Sequence, residues 1–229
     1  MKNKIIPIFV SILVIVTLII AIDTKANYPN QHLSKPIMNI ERNNLTVCID
    51  AGHGGKDDGA SVGSRREKDD NLKLALAVKK ELEKKDVKVI MTREKDEKIS
   101  LEERTDTANK SSSDLFVSLH RNSSEDSTGG IEIWVKNSKP KADALLAENI
   151  LDKLKRVGIS DNRGVRFGLA GNSRGNYYVN QYTDMPSCLV EMGFMTNEKD
   201  NKLFDKNLEK YAKAIADGII KATKELSQK

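Results

Sequence analysis

From residue 45 onward, short β-branched runs alternate with helical stretches, and this alternation narrows the fold more than any other feature of the chain. LTVCID reads as a strand. Residues 68–85 read as a helix, with Leu74, Val78 and Leu82 four residues apart beside Leu72 and Ala75, and VKVIMT reads as a second strand. Residues 100–110 form a short helix opened by Ser100 with Glu103 three places on, the capping-box pattern. DLFVSL makes a third strand and GIEIWV a fourth, where Ile131, Ile133 and Val135 alternate with Glu132, Trp134 and Lys136 as on a half-exposed strand. Residues 140–157 are helical, and the glycine-rich RGVRFGLAGNSRGN has no assignable period. SCLVEMGF and a helix with Leu208, Tyr211, Ala212, Ile215 and Ile219 on one face close the domain. Strands that return through helices run parallel. The predicted architecture is a single three-layer α/β domain over residues 45–229, a mostly parallel sheet flanked by helices.

In such a sheet, ligand chemistry collects beyond the carboxyl ends of the parallel strands. Three strands end in a candidate: TVCID leads to His53, DLFVSL into His120, and SCLV into Glu191. Glu67 stands at the start of the first helix, which begins at the same rim. Each has a plainer reading beside it. Glu67 follows Ser64 by three residues, so SRRE alone fits a capping box, and His120 alone fits a satisfied histidine at a strand end. His53 is harder to dismiss, because glycines bring backbone close to a ligand. Glu191 is harder still, because an unpaired carboxylate in an apolar run is very costly. A phosphate cradle fails on detail: the G-x-G-x-x-G spacing from Gly52 places Asp57 at the last glycine, and Gly55-Lys56 is followed by Asp57 rather than Ser or Thr. A metal accounts for the set. Two neutral imidazoles and one carboxylate form a common shell for catalytic zinc, with a position open for water, and the remaining glutamate is free to move protons.

The N-terminus predicts export. MKNK precedes the uncharged IIPIFVSILVIVTLIIAI, residues 5–22, which is long for a signal-peptide core and barely long enough to span a bilayer. Thr24-Lys25-Ala26 supplies small residues for a cut, while the lysine-flanked run serves equally as an uncleaved anchor in contact with membrane. Residues 1–26 are therefore read as a signal peptide or anchor. Residues 27–44, with two prolines and no period, read as a linker in which His32 is simply polar. The net charge of +5 is scattered among acids, as in ELEKKD, which argues against a nucleic-acid footprint and leaves a diffuse attraction to an anionic polymer such as cell wall. Cys48 and Cys188 each sit in an apolar run and read as small buried hydrophobes, with a bridge between them formally open in an exported chain.

IDAGHGGKDDGA, REKDDNLKLALAV, MTREKD…LEERTDTAN, SLHRN and MPSCLVEMGFMTN occur in an order and spacing that resembles the zinc-dependent N-acetylmuramoyl-L-alanine amidases of the amidase-3 family, over residues 45 to 225. The resemblance implies that His53, Glu67 and His120 bind Zn2+, that Glu191 is the catalytic acid/base, and that peptidoglycan is the substrate. It is strongest to the CwlD-type amidases of spore-forming bacteria, which act in cortex maturation ahead of muramic-δ-lactam formation and, in clostridia, are associated with a lipoprotein partner. The location implied is the forespore intermembrane space or the wall. A vegetative cell-separation amidase and a weakly catalytic wall-binding scaffold are the alternatives. Gln181, where many members carry Arg, matches the spore-type subgroup. Arg121, where a small or apolar residue usually follows the zinc histidine, predicts weakened metal binding if it points inward and contact with the acidic stem peptide if it points outward.

Overall fold

A computed structural model describes residues 45–228 apart from Ser173, so the apolar run at 5–22 and the linker at 27–44 lie outside the described residues. The elements in chain order are β1 (Thr46–Ala51), β2 (Ser61–Val62), β3 (Arg65–Arg66), α1 (Glu67–Glu83), β4 (Lys88–Met91), α2 (Leu101–Lys110), β5 (Leu115–Asn122), β6 (Ile131–Val135), α3 (Lys141–Val157), β7 (Asn162–Phe167), α4 (Tyr178–Tyr182), β8 (Ser187–Phe194) and α5 (Glu198–Leu226). Six strands form one sheet in the order β4-β1-β5-β8-β6-β7, while β2 and β3 make a separate hairpin. β4, β1, β5 and β8 are mutually parallel; β6 runs antiparallel to β8 and pairs in parallel with β7. The predicted α/β domain with a largely parallel sheet is what the chain forms.

The two faces of the sheet carry different loads. One packs against α1, α3 and α5 in the main core, where Leu74, Val78 and Leu82 are the buried stripe the periodicity marks. Each such side chain contributes about 2 kcal/mol by leaving water. The other face carries a smaller cluster of Cys48, Phe116 and Leu189 with Val179 and Met185, beside α2 and α4. Cys48 belongs to this cluster and Cys188 to the main one, and both thiols are free and buried, so the open question of a bridge closes against it. The Ser100 capping box forms with both arms, Glu103 N–H to Ser100 Oγ at 3.1 Å and Ser100 N–H to the Glu103 carboxylate at 2.8 Å.

Three features depart from the sequence reading. β6 is not half exposed: Glu132 is buried, because it lies directly opposite Glu191 on β8 and takes hydrogen bonds from Asn122, Trp134 and Arg163. The unassignable glycine-rich stretch holds edge strand β7 and a following turn. Its period is obscured because an edge strand buries little: Asn162 and Arg166 are exposed and the rest only half-buried. Finally, α1 has Arg66 as its N-cap with no side-chain cap bond, so the Ser64–Glu67 capping box does not form.

Candidate metal centre

The parallel arrangement of β1, β5 and β8 brings their carboxyl ends to one rim, and the register there is explicit: His120 lies opposite Glu191. His53 stands two residues beyond β1 and Glu67 is the first residue of α1. The structure gathers three of these side chains tightly. Ligand atoms of His53, Glu67 and His120 all lie within 4.8 Å of one another. His120 Nδ1 is 2.8 Å from Glu67 Oε1, His53 Nε2 is 3.2 Å from Glu67 Oε2, and the two imidazole rings meet edge to face at 4.9 Å.

The Glu67 carboxylate is buried, 4% exposed, and that burial is answered by donors on both oxygens. Oε1 accepts from Asn71 Nδ2 at 3.1 Å and from the Arg121 backbone N–H at 3.1 Å, and Oε2 accepts from the Ala60 N–H at 2.8 Å. Burial alone raises its pKa, but the hydrogen bonds and charges of the two histidines outweigh this and hold the carboxyl well below its usual range. Burial likewise lowers His53, yet Glu67 and Asp57, whose Oδ1 is 3.0 Å from His53 Nδ1, push it up to about 9. Two imidazoles and a carboxylate this close together are able to coordinate a divalent metal.

Glu191 has the opposite environment. It is 7% exposed, its Oε2 has no hydrogen-bond partner, and burial together with the nearby charges of Glu67 and Glu132 pushes its pKa well above the usual value. A buried carboxylate with an orphaned oxygen beside a two-imidazole, one-carboxylate set is able to exchange a proton with a ligand bound there. The following residues fix its position. Gly193, at φ +82°, sits at the bulge where the β5–β8 register shifts, and the Phe194 N–H donates to Asp200 Oδ2 at 2.7 Å.

Glycines make the space. A Cβ at Gly52 would stand 2.2 Å from His120 Cε1 and Nε2, and one at Gly59, φ +64°, would stand 2.5 Å from Glu67 Oε2. Beneath them lies bracing that spacing along the sequence does not reveal. Asp50 is fully buried and accepts from Thr92 Oγ1 at 2.7 Å, Ser118 Oγ at 2.6 Å and Arg104 at 2.6 Å. Arg104 also donates to the carbonyls of Ala51 at 2.8 Å and His53 at 2.7 Å, and Arg93 to those of Ala51 at 2.8 Å and Gly52 at 2.9 Å. His53 itself has φ +60°, a left-handed backbone that needs such restraint. The available signal was an aspartate inside an apolar strand, together with arginines inside the quoted motif MTREKD…LEERTDTAN.

Arg121 corrects an expectation. Its guanidinium packs under α1 and α5, bonded to Asp70 at 2.6 Å and Asn201 at 2.7 Å and stacked 4.3 Å from the centre of the Phe204 ring. The side chain is wholly buried with its charge answered by Asp70, so it neither faces the three-ligand cluster nor reaches a substrate. Gln181 accepts from Asn176 Nδ2 at 2.6 Å and so tethers the turn that follows β7.

Known proteins are similar to this chain. The chain is 36% identical over 177 residues to YqiI of Bacillus subtilis, covering 76% of this chain and 81% of that protein. It is 34% identical over 179 residues to N-acetylmuramoyl-L-alanine amidase LytC of the same organism, covering 76% of this chain but only 35% of LytC. Among solved structures, the CwlD amidase of Clostridioides difficile, determined in complex with the GerS lipoprotein, is similar at a TM-score of 0.72 and 32% identity, covering 80% of this chain and 100% of that one. The Amidase_3 family, described as N-acetylmuramoyl-L-alanine amidase, matches residues 47–221, from the first strand into the last helix, and the chain belongs to it.

Proposed function

We propose that this enzyme hydrolyses the amide bond between N-acetylmuramic acid and the L-alanine of the stem peptide, with Zn2+ held by His53, Glu67 and His120. The donor set supports the choice of metal: two imidazoles and one carboxylate with, among the described residues, no thiolate and no fourth protein ligand closing the shell. When bound, the ion supplies Lewis acidity and makes water a stronger acid at neutral pH. The protein's own groups do the rest. Glu67 would complete the ligand set with the two imidazoles, Asp57 orients His53 through Nδ1, and Glu191 accepts a proton from the attacking water and returns it to the leaving nitrogen of L-alanine. The observation that carries this reading is the unpartnered Glu191 Oε2, buried on the strand directly beside His120.

The biological setting belongs to the same proposal. Full coverage of the CwlD chain supports action on spore cortex ahead of muramic-δ-lactam formation, assisted by a lipoprotein such as the one bound to that relative, with residues 1–26 directing export as a leader or anchor and 27–44 as a linker to the catalytic domain. The similarity to LytC favours a second setting, an amidase of the vegetative wall. Glu191→Gln tests the chemistry: zinc content stays at the native level while peptide release from muropeptides falls by about 10³-fold, the size of a lost general acid/base. Native-level release by that variant would remove Glu191 from the mechanism.

A further inference from the structure

A groove of about 620 Å3 opens along β6, β7 and the turn after β7, on the outer half of the sheet. We propose that it binds carboxylates of the substrate's stem peptide, an assignment that rests on the amidase reading above. Lys139 and Arg166 line it together with Trp134, Phe167, Leu169 and Asn172, and none of its nine lining residues is acidic.

Register connects the groove to the rim. Glu132 lies opposite Glu191, Trp134 opposite Leu189, and Arg166 opposite Trp134. By alternation, Glu191, Glu132, Trp134 and Arg166 share one face of the sheet. Two strand spacings and two residues separate Arg166 from Glu191, roughly 12 Å, and an extended peptide of four residues spans about 14 Å. A stem peptide whose scissile nitrogen lies at Glu191 therefore brings its third or fourth residue to Arg166. Tyr177 lines the path between the two: its ring meets Trp134 edge to face at 5.6 Å, and the charge of Glu191 is among the influences on its hydroxyl.

Charge decides which part of the substrate points this way. The glycan strand is built from neutral N-acetylated sugars, its lactyl carboxyl already consumed in the amide, whereas the stem peptide carries free carboxylates. The cations are available to it. Arg166 is about half exposed, and the carboxylate near it, Glu132, is 3.9 Å away and already bonded to Arg163 at 2.9 Å. Lys139 is held with its ammonium 5.3 Å from the centre of the Phe167 ring, a placement that points the charge without consuming it.

The test compares muramoyl tetrapeptide with its carboxylates free against the same molecule with them amidated, using the full chain in detergent. The native enzyme should favour the free form by about fivefold in kcat/KM, carried in KM, the size of two half-exposed ion pairs. The double variant Lys139→Gln, Arg166→Gln should lose that preference, and Arg166→Glu should reverse it, with thermal unfolding used to show that each variant is folded. A native enzyme indifferent to amidation, or a double variant that keeps the preference, overturns the proposal. So does binding at this groove of a polyglycerol phosphate with no binding of the peptide. If the native protein cleaves neither substrate, the amidase reading fails on its own. Direct titration of the tetrapeptide into native and double-variant protein then still decides the groove: equal affinity refutes it, and weaker binding to the variant upholds it.

Discussion

Two glycine-rich turns border the same sheet, and their glycines do opposite things. In the turn after β1, Gly52 and Gly59 are pressed against His120, His53 and Glu67, so that a methyl group at either position would overlap the side chains of the proposed zinc site. In the segment holding β7 and the turn after it, Gly164 and Gly171 would meet nothing within 4 Å. The supports differ as well. The first turn has its carbonyls gripped from below by buried Arg93 and Arg104, whereas the second is tied at the surface by amides: the Asn137 N–H donates to Asn176 Oδ1 at 2.6 Å, and Asn176 donates to Gln181. Composition alone does not separate a turn built around a reactive centre from one that only borders a groove. What separates them is what fills the space beside each glycine.

The largest effect should come from removing the bracing of the first turn. Arg104→Met leaves Asp50 charged and fully buried without its guanidinium, at a cost of about 3–5 kcal/mol in urea unfolding. Adding Asp50→Asn should recover much of that loss, because the orphaned charge is gone. A loss below about 1 kcal/mol in the single variant would mean that the turn does not depend on this pair. Next in size is Gly52→Ala. Its Cβ cannot coexist with the His120 ring, so zinc content should fall and peptide release should drop by at least about a hundredfold, as for a misplaced catalytic group. Native zinc content in that variant would show that the ring has room to move.

How much of this was legible beforehand follows the same division. Helices with a continuous buried stripe, such as α1, announce themselves by period, and strands buried on both faces, such as β5, by an unbroken apolar run. β7 does not, because an edge strand buries too little to impose one. The three-ligand cluster was legible because two histidines at strand ends and a glutamate opening the first helix, each with a plainer reading alone, share no structural explanation as a set. The bracing was not, since the partners of Asp50 and Arg104 come from elements that meet only in the folded sheet. Glu132 was hidden for a related reason: alternation assigns it to an exposed face, and only the pairing of β6 with β8 shows that face to be covered. The direction of Arg121 was not legible from its place beside His120, because neighbours along a strand point to opposite faces.

Buried carboxylates sharpen the comparison between the two halves. Asp50, under the first turn, is held below its usual pKa: burial raises it, and Arg104, Ser118 and Thr92 more than offset that. Asp143, in the first turn of α3 beside β8, has no such set. Its Oδ2 and the neighbouring Ser187 Oγ both lack partners, and burial raises its pKa to about 6, against smaller opposing contributions from Lys136 and the Ser187 N–H. A carboxyl whose folded pKa is raised favours folding when protonated, so this stability is present below about 3.8 and is lost as pH climbs through about 6. Asp143→Asn should therefore match the native protein near pH 4 and exceed it by about 2 kcal/mol at pH 8. A difference independent of pH would show that the carboxyl does not titrate in this range.

The smallest effect belongs to the second turn. Gly171 has φ +73° and open space around its missing side chain, so Gly171→Ala encounters only backbone strain, about 1 kcal/mol in thermal unfolding, with zinc content unchanged. Set beside Gly52→Ala, it isolates the physical difference between the turns, because both variants add the same methyl group and only one of them meets a side chain of the proposed zinc site. If Gly171→Ala instead removed zinc, the two turns would be coupled through the sheet, and the amide ties at Asn137, Asn176 and Gln181 would have to be counted among the supports of that site.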